Sequence, residues 1–195
     1  MSKKLDIISA PNPILRQMAT EVETITPEIK QFLDDMLETM YDGGIGLAAP
    51  QVSVSKRILV VDVPRATWDY TGESRDGRLI VGRGTDEEGA TPNPIKMINP
   101  KIVKESDHRS ICMEGCLSIP QQFAEVERPA EITIEYLDEN GVLQTREMAG
   151  LESHCVLHEI DHLDGLLFVD HLTRIKRGTL LRKLEKYKKA HGIVL

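Results

Sequence analysis

No stretch of this 195-residue chain approaches the roughly 18 consecutive apolar residues that a membrane helix needs. Its start, MSKKLDIISAPNP, lacks the apolar run of a secretory signal. Cysteine is scarce: Cys112, Cys116 and Cys155 are the only three. A small odd number argues against a disulfide framework and for a ligand or catalytic thiol in a reducing compartment. Excess positive charge is missing as well, and a net charge of −7 argues against a dedicated nucleic-acid binder. Together these absences lead us to expect a cytoplasmic protein with neither a membrane nor DNA as partner.

What is present is ordinary for a globular chain. Apolar residues make up 41% and charged residues 28%, and the length suits one domain with a sizeable core. We therefore expect a single catalytic domain over 1–195. The charge is uneven: residues 174–189 hold eight Lys/Arg against one Glu, +7, which leaves −14 for the rest. Such a run is either the solvated face of a helix or a surface for an acidic partner such as RNA.

The spacing predicts a helix in TPEIKQFLDDMLETMYDGG, with Thr26 as cap and Pro27 in the first turn. Ile29, Phe32, Leu33, Met36, Leu37 and Met40 fall on one face, and Gly43 and Gly44 end it. KRILVVDV and KMINPKIV read as strands. Residues 65–93 between them form a long glycine-rich excursion with room for a short hairpin at Asp76–Gly77. AEITIEYLDENGVLQTREMA alternates on both sides of Asn140–Gly141, a hairpin signal. LESHCVLHEIDHLDG reads as a helix with Val156, Ile160 and Leu163 on an apolar side. RGTLLRKLEKYKKA reads as a terminal helix, within the basic stretch 174–190, that uses Leu180, Leu181, Leu184 and Tyr187. Strands and helices mix without strict alternation, so the class is α+β.

The chemistry concentrates in HEIDH, residues 158–162. His158 and His162, four apart on a helix, can turn a ring nitrogen to one ion, with Glu159 beside them to handle a proton of water. The plain alternative is a pair of solvated histidines. A catalytic site needs a third ligand and one open position. Cys155 lies seven residues from His162, about 10 Å along the axis, too far for donors that each sit about 2 Å from one ion. It is expected to pack beside the site. A third histidine at the metzincin spacing is absent, since that position is Phe168, and Glu185 sits in the basic terminal helix. That leaves MEGCLSIP, where Cys116 follows a glycine in an apparent loop or bend. Spacing does not choose between Cys116 and Cys112.

GIGLAAPQV (44–52), EGCLSIP (114–120) and HEIDH, in this order, resemble the three signatures of bacterial peptide deformylase. The resemblance covers nearly everything except 65–93, which is longer than usual for that family. It implies an α+β fold with the HExxH helix laid against antiparallel strands, and N- and C-terminal helices. It implies one divalent ion on Cys116, His158 and His162, physiologically Fe²⁺, with Zn²⁺, Ni²⁺ or Co²⁺ able to occupy the site; Cys112 is then a packed thiol. The activity implied is removal of the formyl group from the N-terminal formyl-Met of nascent polypeptides. Glu159 would move the proton, and the Gln51 amide and the Leu117 N–H would donate to the formyl oxygen. Gly44, Ile45 and Gly46 would pair with an extended peptide, a mode that reads little of its side chains. Leu151, with Ile45, would wall the methionine pocket, although His154 stands where an apolar residue is expected. Arg128 would steady the metal-site loops. Leu157 departs from the usual glutamine before the motif. The basic C-terminal helix would contact the ribosome. The rivals are a metalloprotease, which needs a third His or Glu ligand, a non-catalytic binding protein, and a structural zinc module, which needs four closed ligands.

Overall fold

Strand β2 (Ile58–Asp62) is buried along its whole length, and its alternating side chains feed two different cores. Ile58 and Val60 meet Leu33, Met36 and Met40 of helix α1 (Pro27–Met40), while Leu59 and Val61 face the second helix. The computed structural model describes residues 2–63, 70–81 and 92–192. Helix α1 begins at Pro27 as the spacing predicts. Thr26 is its N-cap residue but makes no side-chain cap bond, and Ile29, Phe32 and Leu37 are only partly buried.

One sheet has the order β1-β2-β5-β8-β9, entirely antiparallel, with β1 (Gly46–Ala48) at one end. Its other members are β5 (Pro94–Glu105), β8 (Glu131–Leu137) and β9 (Leu143–Ala149). The second sheet, β3-β4-β6-β7, is mixed, because β4 (Arg78–Val81) runs parallel to β6 (Arg109–Cys116). Strand β3 (Tyr70–Arg75) precedes β4, and β7 (Ile119–Pro129) pairs antiparallel with β6. Helix α2 (Gly150–Leu163) lies against strands of both sheets. Its Leu151, Cys155, Val156, Leu157, Ile160 and Leu163 share one core with Leu59, Val81, Cys112 and Ile134. Helix α3 (Arg174–Ala190) seats Leu180 and Leu184 with Val126 of β7 and Phe168. The α+β class expected from the sequence is therefore observed.

Several local expectations hold. Asp76 and Gly77 both have positive φ (52° and 78°), the turn that suits a tight hairpin, and β3 and β4 pair across it. The rest of the excursion, 65–69 and 82–91, lies outside the described residues. The hairpin expected around Asn140–Gly141 is present as β8–β9, its turn spanning 138–142 with the Asp138 carboxylate accepting from the N–H groups of Asn140 and Val142. Others need correction. Strands β6 and β7 form a long hairpin across Leu117–Ser118, so Cys116 ends a strand rather than sitting in a loop. In α3 the third inward position belongs to Lys188, not Tyr187. Lys188 is buried with Nζ 2.8 Å from the Ala10 carbonyl, while Tyr187 stacks on His191.

Candidate metal centre

Two periodicities meet at this centre. On β6, alternation turns Ser110, Cys112, Glu114 and Cys116 to the same inner face. On α2, His154, His158 and His162 recur every fourth residue and share one face. Strand and helix then pair residue by residue. Ser110 Oγ lies 2.9 Å from His154 Nε2, Glu114 Oε2 lies 2.9 Å from His158 Nδ1, and Cys116 Sγ lies 3.2 Å from His162 Nε2.

Cys116, His158 and His162 bring one ligand atom each within 4.8 Å of one another. They are the one such group of three or more His, Cys, Asp or Glu among the described residues. The donors fit a divalent transition ion: a thiolate and two imidazoles suit iron, zinc, nickel or cobalt and not a hard cation such as Ca²⁺. Glu114 binds Nδ1 of His158, which leaves Nε2 of that ring for the ion. Cys112, four residues earlier, is buried, and burial pushes its thiol up to about 12, the behaviour of a packed side chain. Cys155 is also buried and raised, with its sulfur 3.4 Å from the Ile45 carbonyl; it packs beside the cluster as expected.

Glu159 is 4% exposed, and its Oε2 has no hydrogen-bond partner among the described residues. Burial raises its carboxyl to about 7. Its other oxygen lies against β1: a Cβ placed on Gly46 would fall 2.5 Å from Glu159 Oε1 and 2.8 Å from Cys155 Sγ. Gly46→Ala is therefore expected to displace the carboxylate, lowering kcat by about 10²-fold, the scale of an ångström of misplacement. Metal content measured on the same sample should not change.

Gln51, 1% exposed, is oriented by its surroundings. The Ala48 N–H donates to its Oε1 at 2.8 Å, which turns Nε2 toward Cys116 Sγ (3.6 Å) and Ser118 Oγ (3.3 Å). Leu117 follows Cys116 in the turn, and its Cδ1 lies 3.0 Å from where a Cβ on Gly44 would be. Gly44, Gly46, Gln51, Leu117 and Glu159 thus lie around the cluster. Leu151 is buried in one core with Cys155, and Ile45, whose carbonyl meets that sulfur, is 37% exposed.

Arg128, expected to steady the metal site, reaches it through a carboxylate. It is buried on β7 and ties two elements together, with Nε and Nη2 on Glu114 (2.6 and 3.0 Å) and Nη1 on Asp161 of α2 (2.9 Å). Asp161 also takes His171 Nε2 at 2.7 Å. Burial would raise the Glu114 carboxyl, but hydrogen bonds with His154, His158 and Arg128 outweigh it and hold it well below the ordinary range. The histidine at 154, unexpected from the motif, bonds to Ser110 and lies 3.3 Å from Glu114 through Nδ1. Sequence reasoning missed Glu114, Asp161 and His171. An acidic residue two before Cys116, on the same strand face, was the available signal. Phe168, where a metzincin has its third histidine, stacks on the His158 ring at 6.1 Å, and Glu185 pairs with Lys189 on the surface.

An α+β frame that sets a strand cysteine against the two histidines of an HExxH helix defines the class of metal-dependent proteins built on that motif. The model of the polypeptide deformylase family matches residues 4–178. The peptide deformylase of Rhizobium meliloti (strain 1021) is 46% identical over 187 residues, 95% of each chain. The crystal structure of peptide deformylase from Ehrlichia chaffeensis superposes with a TM-score of 0.81 at 36% identity, covering 97% of this chain and 99% of that one. A Met-Ala-Ser-bound class I type b peptide deformylase from Acinetobacter baumannii gives 0.73 at 31% identity, covering 88% and 100%. The chain belongs to the peptide deformylase family.

Proposed function

We propose that this protein hydrolyses the formyl group from the N-terminal formyl-Met of newly made polypeptides, as one catalytic unit working in the cytoplasm. The observation that carries the reading is the buried Glu159 carboxyl, one oxygen unpaired, set between the Cys116–His158–His162 donors and the Gly46 backbone. Those three donors would hold one divalent ion, Fe²⁺ in the cell, with Zn²⁺, Ni²⁺ or Co²⁺ as substitutes. When bound, such an ion acidifies water and polarises an oxygen as a Lewis acid.

The chain's own groups do the rest. Glu159 accepts a proton from the attacking water and returns it to the departing amine. The Gln51 amide, locked with Nε2 inward, donates to the formyl oxygen as negative charge develops there, joined by the Leu117 N–H. The substrate backbone runs along β1, an end strand of its sheet, at Gly44–Gly46. Ile45 and Leu151 flank the methionine side chain. The Acinetobacter relative binds Met-Ala-Ser, a peptide whose methionine terminus is that of a deformylated product. Glu114 and Arg128 keep His158 in its ligating orientation. Arg174, Lys176, Arg182, Lys183 and Lys186 stand exposed on α3 and supply a ribosome contact, from which Lys188 is withdrawn into the core.

Formate release from a formyl-Met peptide tests the reading, and cleavage of internal peptide bonds instead would replace it with the protease. On the same substrate Gln51→Ala is expected to lose about 10²–10³ in kcat while keeping its metal. Loss of metal in that variant would remove Gln51 from the donor role.

A further inference from the structure

Strand β1 is anchored in the two cores by Leu47 and Ala48, but its outer backbone edge is open. It is three residues long, pairs with β2 on one side only, and bears two of the glycines assigned to the substrate path within or just before it. The group that fixes its outer end is Asp62. The Asp62 N–H donates to the Ile45 carbonyl at 2.8 Å, one residue beyond the Gly46–Val61 pair.

Asp62 is itself anchored from two directions. It is 6% exposed at the end of β2, and a carboxylate at that depth costs stability unless hydrogen-bonded. Both of its oxygens are. Tyr41, the residue that closes α1, donates its hydroxyl to Oδ2 at 2.7 Å. The Asn93 N–H, just ahead of β5, donates to Oδ1 at 2.7 Å. One residue thus meets the end of α1 and the start of β5 through its carboxylate, and the free end of β1 through its main-chain N–H. Burial and the neighbouring Asp62 push the Tyr41 hydroxyl up to about 12, so it stays a donor throughout the neutral range. Tyr41 is 53% exposed, and its ring adds little to the core.

We propose that Asp62 and Tyr41 are positioning residues that hold the outer end of β1, at Ile45, and so set how firmly a peptide backbone is gripped. The proposal rests on the deformylase reading for its substrate but not for its structural readout. The experiment compares wild type with Tyr41→Phe and Asp62→Asn in two measurements. In the first, formate release is followed from a formyl-Met tetrapeptide and from formylmethionine, which has no downstream backbone to pair. For the tetrapeptide, KM should rise about three- to tenfold in each variant, the scale of one lost hydrogen bond, with kcat nearly unchanged. KM for formylmethionine should stay at the wild-type value. In the second, amide exchange over residues 45–48 should quicken by a similar factor while the β8–β9 hairpin keeps its rate, which separates a loosened edge from general destabilisation.

Equal KM increases for both substrates, or unchanged exchange over 45–48 in both variants, would overturn the proposal. Should the wild type release no formate from either substrate, the functional reading fails, and the exchange comparison alone decides whether Asp62 and Tyr41 hold the strand.

Discussion

Cys116→Ala is expected to empty the metal centre. Loss of a partner that only orients a ligand costs about 10–100-fold in metal affinity, and Cys116 is a direct donor, so its loss should exceed that range, with activity falling at least in parallel. The measurement is metal content by elemental analysis after dialysis, alongside formate release. Cys112→Ala is the paired comparison. Its thiol shares the strand face but lies in the core with Val81 and Ile134, so that variant should keep its ion. The opposite pattern, metal retained without Cys116 and lost without Cys112, would reassign the third ligand and remove the ground for the deformylase chemistry.

Glu159→Gln separates catalysis from folding. Activity should drop by about 10²–10⁴, the usual contribution of a general acid–base group, with the ion still bound. The metal-free protein should change in the opposite sense. Burial raises the folded-state carboxyl to about 7 from an ordinary 4.5. The fold therefore prefers the protonated form and loses stability as pH rises from the unfolded value through the folded one, with the full penalty present above pH 7. A difference of that size is on the order of 3 kcal/mol. An amide at 159 carries no such penalty. Denaturant melts of the metal-free proteins should show Glu159→Gln the more stable above pH 7, with the advantage shrinking toward pH 4.5. An advantage independent of pH would mean that the charge of Glu159 is not the cause.

The parts of this site that could be read from the sequence are those carried by a repeating period or a dense motif. Four-residue spacing placed His158 and His162 together, and seven-residue spacing excluded Cys155. The choice of Cys116 over Cys112 was not readable from spacing, because both lie on one strand face and only the register against α2 sets Cys116 opposite His162. Helix α1 and the strand at Ile58–Asp62 followed from apolar pattern. The β6–β7 hairpin did not, because its inner face carries Ser110, Glu114 and Arg128 as buried polar groups and so breaks the alternation that marks a half-buried strand. Lys188 escaped for the same reason: a lysine inside is legible only once the Ala10 carbonyl that receives it is known. Buried polar residues were the common source of error, and here they surround the chemistry.

The glycine at 46 also bears on how this enzyme could evade a blocking compound. A molecule laid along the β1 edge would rest on a position where even a methyl group collides with Glu159 and Cys155. Escape by enlarging that residue would disable the cell's own copy along with the drug's foothold, so resistance would have to arise at sites farther from the reacting bond.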